Sequence, residues 1–527
     1  MTSFLRRLAF AGLIASFAWV QSEGVFAQGA GATRGGGPSQ AVPASSGAAG
    51  TALPSPSLPS QSLPPQSVTR HAIDLPGRTL HYTATAGALP VRDQSGRLLA
   101  EIAYVSYALD REGAAVAAER PVTFAVNGGP GAASAYLHLG LMGPRRLPFG
   151  RQGDTPSSPT DLVANAETWL DFTDLVFIDP VGAGFSRFAP GNDDARALLW
   201  SAEGDYKSLA RFIANWLRLN DRLGSPKFIV GESYGGFRAP KIVSELQTSD
   251  GVGLSGMLLL SPVLDFTYQR DARGSPLRWA VQLPSLAATP LEREGRLSRQ
   301  ALLETESYAA GDYLADLLKG PRDKAAVQRI VERVTALTGL DRMLVERLGG
   351  KIDTGTFLRE IGRDRQLVGS PYDGAVFALD PDPDAARTRA PDAVLEAITA
   401  PLTGAMLRLY AEELKWQPDG RYFLLNEDVS RRWSYGQGRG DRESMRELRS
   451  ALALDPHLQV IVAHGMTDLV TPYFESKLLL DQLPPLGDEA RVKLELFPGG
   501  HMFYSRDASR QNLREAVRMM IEARRGL

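Results

Sequence analysis

The chain has 527 residues, of which 43% are hydrophobic and 22% are charged, and its net charge is −2. This near-neutral balance gives no reason to expect nucleic acid or another polyanion as a partner. The sequence contains no cysteine, which excludes disulfides, thiolate metal sites and a cysteine nucleophile. Catalysis would have to use hydroxyl, carboxylate or imidazole groups, and only six histidines are available as bases.

The first 67 residues have the composition of a leader followed by a linker. Arg6 and Arg7 precede an apolar run over residues 8–20, and small residues follow as far as Ala27. This order is typical of a secretory signal, and the run is too short to span a bilayer as a helix. A retained N-terminal anchor is the alternative. We therefore expect a signal peptide over 1–27, a secreted or periplasmic protein, and no integral membrane segment after signal removal.

A linker and then an alternation of strands and helices follow the leader. Residues 28–67 are rich in Gly, Ala, Ser and Pro, which predicts a disordered linker. The patterns after it predict an α/β fold with a central, mainly parallel sheet flanked by helices. Apolar runs predict strands over residues 79–84, 100–109, 122–126, 174–178, 227–230 and 257–260, and helical spacing predicts helices over 195–219 and 239–247.

Helical periodicity replaces this alternation over residues 275–455, which predicts a largely helical insertion, or cap. Strand patterns return at residues 458–463 and 492–497, and a helix over 514–525 is predicted to close the chain. We therefore divide the ordered part of the chain into an α/β core, formed by residues 68–274 and 456–527, and the insertion.

A G-x-S-x-G pattern, Gly231-Glu232-Ser233-Tyr234-Gly235, lies between a predicted strand and a predicted helix. In that setting the serine occupies a sharp turn that exposes its hydroxyl above the sheet, and the glycines leave room for the backbone. A buried turn serine with no chemical role is the alternative.

Other polar residues follow neighbouring strands, and parallel sheets carry their chemistry at the carboxyl ends of the strands. Asp179, Asp468 and His501 each come after a predicted strand, as Ser233 does. The order Ser233, Asp468, His501 is that of the α/β-hydrolase triad, with nucleophile, orienting acid and base in turn. Asp455 and Asp481 compete for the role of the acid, and His464 and His138 are interpreted as packed histidines.

The loop Asn127-Gly-Gly-Pro-Gly131 also follows a predicted strand. Glycine backbone can approach a substrate closely and offer N–H groups to a developing oxyanion. The second donor is expected to be the N–H of Tyr234, the residue after the nucleophile. The loop lacks the Gly-Lys-Ser/Thr sequence of a phosphate-binding loop.

These blocks resemble the serine carboxypeptidases. The similarity rests on residues 127–134, 179–186, 231–240, 464–468 and 499–502, is faint in the insertion, and extends from about residue 121 to the C-terminus. It implies an α/β-hydrolase fold with a helical insertion over the active site and a secreted, bacterial member of the family. The implied reaction releases single residues from the free C-terminus of a peptide substrate and needs no metal or other cofactor.

The resemblance also assigns residues. It implies that Ser233, Asp468 and His501 form the triad and that Gly129 and Tyr234 supply the oxyanion N–H groups. Asn127, Gly128 and Glu232 are the implied binding groups for the terminal carboxylate of the substrate.

Glu232 can bind a carboxylate only when it is itself protonated, which requires a raised pKa and predicts activity favoured at acidic pH. The alternative is an exposed, ionised glutamate within the turn. The chain departs from the eukaryotic members of the family in two ways: residues 139–142 lack their second acidic residue, and Ala132 stands where they often have cysteine.

Three functions remain open from the sequence. The first is a serine carboxypeptidase, the second is an esterase or acyltransferase with the same triad, and the third is a secreted binding protein without catalysis. The preferred substrate side chain and the oligomeric state are not determined by the sequence.

Overall fold

The computed structural model describes residues 62–110, 120–149, 161–267, 275–385, 390–436 and 438–523. The chain divides into two units, Met1–Leu58 and Pro59–Leu527, and every described residue belongs to the second. The predicted signal peptide and most of the predicted linker lie outside the described residues. Within the described ranges, none of the helices has the length and apolar character needed to cross a bilayer.

A ten-stranded sheet and two small two-stranded sheets account for the strands of the described ranges. In chain order the strands are β1 Ser67–Leu75, β2 Arg78–Arg92, β3 Leu98–Leu109, β4 Val122–Val126, β5 Arg145–Arg146, β6 Val163–Ala164, β7 Asp174–Ile178, β8 Arg187–Phe188, β9 Lys227–Glu232, β10 Gly256–Leu260, β11 Leu367–Gly369, β12 Phe377–Leu379, β13 Gln459–Gly465 and β14 Val492–Phe497.

The large sheet has the order β1-β2-β3-β7-β4-β9-β10-β13-β14, with β8 pairing beside β3. Pairing is antiparallel from β1 through β7 and parallel from β7 to β14. All five residues of β4, β7 and β10 are buried, because these central strands have both faces covered. This is the mainly parallel sheet flanked by helices that the alternating pattern predicted.

Helices cover both faces of the sheet and recur along the described chain between β10 and β13. The α-helices are α1 Ala135–Leu137, α2 Asp193–Leu199, α3 Ala202–Leu219, α4 Tyr234–Glu245, α5 Pro276–Arg293, α6 Arg299–Tyr308, α7 Leu314–Lys319, α8 Lys324–Thr338, α9 Arg342–Arg347, α10 Thr354–Glu360, α11 Leu395–Glu412, α12 Glu427–Arg432, α13 Met445–Leu454, α14 Tyr473–Leu480 and α15 Asp507–Glu522.

Two apolar cores lie on opposite faces of the sheet. On one face, α3, α4 and α13 contribute fully buried residues such as Ile213, Ile242 and Leu448. On the other face, α15 and α11 contribute residues such as Leu513 and Leu402. Burying each of these aliphatic side chains is worth about 2 kcal/mol, which fixes the helices against the sheet and leaves the strand ends in place.

The helix predicted over 195–219 is wrong in one respect, because the chain forms two helices, α2 and α3. Ser201 lies between them and accepts a hydrogen bond from the amide of Gly204 (3.1 Å), as an N-cap residue does. A side chain at Gly204 would lie 1.9 Å from the carbonyl oxygen of Leu198, so only glycine permits this close approach. A local cap therefore overrides the continuous apolar periodicity.

A third core combines buried residues from the chain between β10 and β13, such as Leu286, Ile330 and Phe357, with residues that follow β13, such as Tyr473. Helix α13, at the end of this stretch, instead packs in the core that covers one face of the sheet. A few residues of the predicted linker also have described contacts: Leu63 is buried, and the Trp416 indole donates to the carbonyl oxygen of Pro65 (3.1 Å).

Candidate active site

Ser233 occupies the sharp turn between β9 and α4. Its backbone has φ 59° and ψ −120°, in the left-handed half of the φ range that non-glycine residues seldom adopt. The amide of Ser233 donates to the carbonyl oxygen of Leu260 (2.9 Å), and its own carbonyl oxygen accepts from the amide of Gly236 (2.9 Å). The side chain is half-buried between two buried neighbours, Glu232 and Tyr234, as an exposed nucleophile on a strand-to-helix turn would be.

The glycines of the pattern are needed because backbone crosses backbone at this turn. A Cβ on Gly231 would lie 2.1 Å from the carbonyl oxygen of Gly235, and a Cβ on Gly235 would lie 2.4 Å from the carbonyl oxygen of Val126. Neither neighbour is a flexible side chain that could move aside. The turn is therefore closed to any residue with a side chain at these two positions.

The loop that starts at Asn127 lies directly against this turn. A Cβ on Gly128 would lie 2.6 Å from the amide nitrogen of Tyr234 and 2.9 Å from the Cβ of Ser233. Gly129, the next residue, is exposed and has φ 96°. The loop therefore contacts the Ser233–Tyr234 turn at Gly128, directly before the predicted oxyanion donor Gly129.

Side chains beneath the loop hold it in place. The amide oxygen of Asn127 accepts from the backbone N–H of Leu137 (3.1 Å), and the carbonyl oxygen of Asn127 accepts from Arg238 (2.5 Å). Asp179, at the end of β7, accepts from the amide of Ser134 (2.8 Å). Burial raises the pKa of Asp179 to about 7, although the bond from Ser134 opposes this shift.

His501 and Asp468 follow the adjacent parallel strands β14 and β13 and are joined by a hydrogen bond. The imidazole Nδ1 donates to Asp468 Oδ2 at 2.8 Å, and both side chains are almost completely buried. The amides of Val470 and Thr471 donate to the other carboxylate oxygen (2.8 and 2.9 Å), and the Thr471 hydroxyl lies 2.7 Å from Oδ2. With its Nδ1 proton engaged in this way, the imidazole leaves Nε2 to accept a proton.

The pKa of His501 is raised above its ordinary value of 6.5. Burial alone would lower it, but the charge of Asp468, the hydrogen bond to Asp468 and the charge of Glu232 together raise it more. The buried carboxylate therefore stabilises the imidazolium, which is the role expected of the third member of a triad.

The competing acids and histidines make other contacts. Asp455 accepts from the amide of His457 (2.8 Å), and Asp481 pairs with Lys477 on the surface (2.6 Å). His464 bonds to the Ser476 hydroxyl (2.8 Å), and burial lowers its pKa to about 4. His501 therefore bonds to Asp468 rather than to either competing aspartate.

The second histidine interpreted as packed, His138, has a similar environment. It bonds to the Tyr107 hydroxyl (2.8 Å) and stacks on Phe177, with 4.2 Å between the ring centroids. Burial lowers its pKa to about 3, so this imidazole stays neutral within the core.

The serine and the histidine are anchored to the same strand end. The carbonyl oxygen of Leu260, the last residue of β10, holds the amide of Ser233, and the hydroxyl of the next residue, Ser261, donates to the carbonyl oxygen of His501 (2.8 Å). The backbone of both residues is thus fixed by two consecutive positions at the carboxyl edge of the sheet. Chemistry there can combine a hydroxyl, an imidazole and a carboxylate.

Glu232 is 4% exposed and accepts a hydrogen bond from the Tyr504 hydroxyl (2.6 Å). Its pKa is raised to about 7, chiefly by burial, while the charge of His501 and bonds from Tyr504 and Asn127 oppose the shift. The structure thus gives this glutamate the raised pKa that carboxylate binding requires, and it brings Asn127 and Glu232 into contact.

Sequence reasoning missed three groups that contact the predicted site residues. Tyr504 and Thr471 each lie three residues after a member of the triad, so a search one turn beyond each triad residue would have found them. The third, the pair Tyr372 and Asp373, belongs to the insertion and is separated from His501 by more than a hundred residues. No local pattern indicates that contact.

Within the described ranges, no group of three or more His, Asp and Glu side chains is arranged to hold a metal ion. Hydrolysis by a triad of nucleophile, base and acid needs no metal.

The sequence model of the serine carboxypeptidase family matches residues 107–288, which include Asn127 and Ser233 but end before Asp468. Serine carboxypeptidase-like 3 of Arabidopsis thaliana is 30% identical over 166 residues, which are 29% of this chain and 35% of that protein. Serine carboxypeptidase-like 13 of the same plant is 31% identical over 151 residues, 28% of this chain and 33% of that protein. The chain thus covers about a third of the length of these relatives.

Among solved structures, the chain is similar to Kex1(delta)p, a prohormone-processing carboxypeptidase from Saccharomyces cerevisiae. That match has a TM-score of 0.51 and 16% identity and covers 84% of this chain and 91% of the other. At this identity the likeness establishes the fold alone. The chain has the α/β-hydrolase fold, and residues 107–288 match the family of serine carboxypeptidases.

Proposed function

We propose that the protein is a serine carboxypeptidase that hydrolyses the C-terminal peptide bond of its substrate through an acyl-enzyme. The observation that carries this proposal is the position of Glu232, a buried acid beside Ser233 that contacts Asn127 and Tyr504. A triad alone would serve any acyl transfer. A buried acid directly beside the nucleophile adds a group able to recognise a free carboxylate.

The proposed reaction starts with attack of the Ser233 hydroxyl on the scissile carbonyl. His501 takes the hydroxyl proton at Nε2, and Asp468 stabilises the resulting imidazolium. The N–H groups of Gly129 and Tyr234 stabilise the oxyanion, each worth about 3 kcal/mol at the transition state. The C–N bond then breaks, His501 returns the proton to the leaving amine, and water hydrolyses the acyl-enzyme by the same steps.

The terminal carboxylate of the substrate is bound by Asn127, the N–H of Gly128 and the protonated carboxyl of Glu232. A pKa of about 7 keeps Glu232 protonated at acidic pH, so binding weakens as pH rises through that value. His501 has the opposite requirement, because it must be neutral to act as a base and its pKa is raised. We therefore expect KM to improve towards acidic pH while kcat falls there.

An esterase or acyltransferase is the second candidate, and one observation favours it. Glu232 bonds to a tyrosine hydroxyl in this chain, whereas residues 139–142 contain no second acid to share its proton. A tyrosine donor favours the ionised form of the glutamate more than an acid partner would. Carboxylate recognition would then be weaker, and neutral esters would compete better.

The decisive comparison is hydrolysis of a blocked dipeptide with a free C-terminus and of the same dipeptide as its C-terminal amide. A carboxypeptidase prefers the free acid strongly, whereas an esterase treats both poorly and cleaves a blocked amino-acid ester. Ser233→Ala should remove hydrolysis in either case, and Ser244→Ala, on the same helix, serves as its matched control. Activity that survives Ser233→Ala would refute the assignment of the nucleophile.

The pH dependence tests the role of Glu232. Glu232→Gln should retain activity but flatten the change of KM with pH near 7, because the amide cannot ionise. Glu475→Gln is the matched control, since Glu475 is also buried and its pKa is raised to about 8, chiefly by burial. A KM profile that is the same in Glu232→Gln and the wild type would contradict carboxylate binding by a protonated Glu232.

We also infer export of the chain, on the composition of its first residues. Residues 1–27 are proposed to be removed as a signal peptide, leaving linker 28–67, core segments 68–274 and 456–527, and insertion 275–455. The N-terminal sequence of protein recovered from the periplasm or the culture medium tests this proposal. A mature chain that still begins at Met1 would contradict it.

A further inference from the structure

The segment of residues 371–374, between β11 and β12 of the insertion, contacts the loops of both proposed acid and base. We call it the clamp segment. Its Tyr372 carbonyl oxygen accepts from the amide of His501 (2.6 Å). Its Gly374 amide donates to the carbonyl oxygen of Thr467 (2.9 Å), next to Asp468. One short stretch of the insertion thus bonds to the backbone of both loops.

Asp373 is the side chain that joins the two loops. Its Oδ1 accepts from the Thr467 hydroxyl (2.7 Å), and its Oδ2 accepts from the amide of Gly500 (3.1 Å) and the guanidinium of Arg506 (2.6 Å). Asp373 is 6% exposed, and each of its oxygens therefore works in a water-poor setting. Hydrogen bonds to a charged group are stronger than those between neutral groups, so this carboxylate contributes more than a surface contact would.

The clamp segment packs closely against the His501 loop, with no room between their backbones for an added side chain. A Cβ on Gly500 would lie 2.0 Å from the carbonyl oxygen of Tyr372 and 2.5 Å from the Cα of Asp373. The Tyr372 ring meets the imidazole of His501 edge to face, with 5.3 Å between centroids and an interplanar angle of 87°. Movement of the segment would therefore move the imidazole.

We propose that Asp373 is a positioning residue, which holds the Asp468 loop and the His501 loop in register and so keeps the imidazole in the position from which it would serve Ser233. The two loops also bond to each other, through the amides of Met466 and Thr467. Asp373 adds side-chain bonds to Thr467 and Gly500, the residues directly before the proposed acid and base. This inference rests on the proposed function only in taking His501 as the base.

Asp373→Asn tests the proposal. The asparagine side chain keeps one acceptor oxygen, but its NH2 group replaces the other. That group would face the N–H of Gly500 or the hydroxyl of Thr467, which are themselves donors. We expect kcat to fall by about 10- to 100-fold, the loss that a misplacement of about 1 Å produces, while KM changes by less than about threefold. The rate at which a fluorophosphonate labels Ser233 should fall by the same factor, because labelling needs the base but no substrate side chain.

Asp380→Asn is the matched control. Asp380 is also an aspartate of the insertion with a buried side chain, and it pairs with Arg359 at 3.0 Å within the insertion. Both variants are expected to lower the melting temperature, but only Asp373→Asn should slow labelling of the folded protein. Equal labelling rates for Asp373→Asn and the wild type, or equal losses for both variants at matched folded fraction, would overturn the proposal.

Thr467→Val covers the case in which Asp373→Asn does not fold. It removes one donor to Asp373 and preserves side-chain volume, so labelling should slow by about threefold, in line with the loss of one hydrogen bond. In a double-mutant cycle the two losses should not add, because they act through one bond. Additive losses, or no loss in Thr467→Val, would contradict the role of Asp373.

The same experiment separates this inference from the proposed function. If Ser233→Ala is labelled as fast as the wild type, the nucleophile is wrong and the proposed function fails with it. If the fluorophosphonate labels the wild type but the wild type does not hydrolyse the free-acid dipeptide, only the carboxypeptidase assignment fails. Labelling rates of the Asp373 variant then still decide whether the clamp segment positions the base.

Discussion

The nucleophile side and the acid–base side of the candidate site are held in place by different kinds of contact. On the nucleophile side, the Ser233 turn and the Gly128–Gly129 loop pack backbone against backbone, with no room for a Cβ, and side chains add support beneath the loop. On the acid–base side, side chains add to the backbone contacts. Thr471 bonds to Asp468 and Asp468 bonds to His501, while Asp373, from a distant part of the chain, bonds to Thr467. The glycines that shape the nucleophile side can be recognised in short stretches of sequence. Part of the support on the acid–base side forms only in the completed tertiary structure.

This difference leads to different responses to substitution. A new side chain at a backbone crossing forces the turn itself to move, so we expect a large loss of activity. Loss of one supporting side chain on the acid–base side leaves the others in place, so the damage is graded. The following predictions test that contrast, from the largest expected effect to the smallest.

Asp468→Asn should lower kcat by about 10⁴-fold, because an amide cannot stabilise the imidazolium and can hold the imidazole in the wrong tautomer. Steady-state kinetics on a blocked dipeptide measure the loss. Asp455→Asn is the control, since Asp455 caps a turn and accepts from the amide of His457. A loss below about tenfold in Asp468→Asn would mean that the base needs no carboxylate.

Gly128→Ala should lower kcat by about 10²-fold, because its Cβ would meet the amide nitrogen of Tyr234 at 2.6 Å and displace the nucleophile turn. Gly224→Ala is the matched control, since a Cβ there meets nothing within 4 Å. The two variants are compared by kcat and by melting temperature. Full activity in Gly128→Ala would show that the nucleophile turn tolerates an added Cβ, which would contradict the proposed difference between the two sides of the site.

Thr471→Val should lower kcat by about tenfold, because it removes the hydroxyl 2.7 Å from Asp468 Oδ2 and leaves the two backbone donors to Oδ1 in place. Thr248→Val, on the surface, is its control. A loss of kcat as large as that of Asp468→Asn would contradict the expectation that the acid–base side loses activity in steps as single supporting bonds are removed.

Tyr504→Phe should produce the smallest change. The Tyr504 hydroxyl bond lowers the pKa of Glu232 against the larger effect of burial, so its removal should raise that pKa further above 7. Glu232 then stays protonated to higher pH, and KM for a free-acid dipeptide at pH 8 should improve by about threefold. Tyr308→Phe, in the insertion, is the control. A KM that worsens at pH 8 would indicate that Tyr504 itself binds the substrate.

Much of the sheet could be predicted because its central strands are short apolar runs. The predicted ranges 122–126, 174–178 and 492–497 coincide with β4, β7 and β14. The nucleophile turn was also accessible, since its glycines stand within five residues of one another. The break between α2 and α3 was not foreseen, because the capping role of Ser201 depends on the path of the chain.

The acid–base side was predictable only in part. Asp468 and His501 could be proposed because each follows a strand in the expected chain order. Nothing near either residue indicates Asp373, since the contact forms only after the insertion has folded back on the sheet. Tyr504 lies three residues after His501 and was within reach of a local search, but its contact with Glu232 joins residues that are far apart in sequence.

The bonds from Tyr372 and Asp373 to the base loop bear on how the proposed enzyme can be engineered. Caps are obvious targets for exchange when a new specificity is wanted, because they are separate from the sheet in sequence. Here a graft that replaced the whole cap would also remove supports of the imidazole and slow turnover before any new specificity could be measured. A chimera that retains residues 371–374 and exchanges the helices around them avoids that penalty.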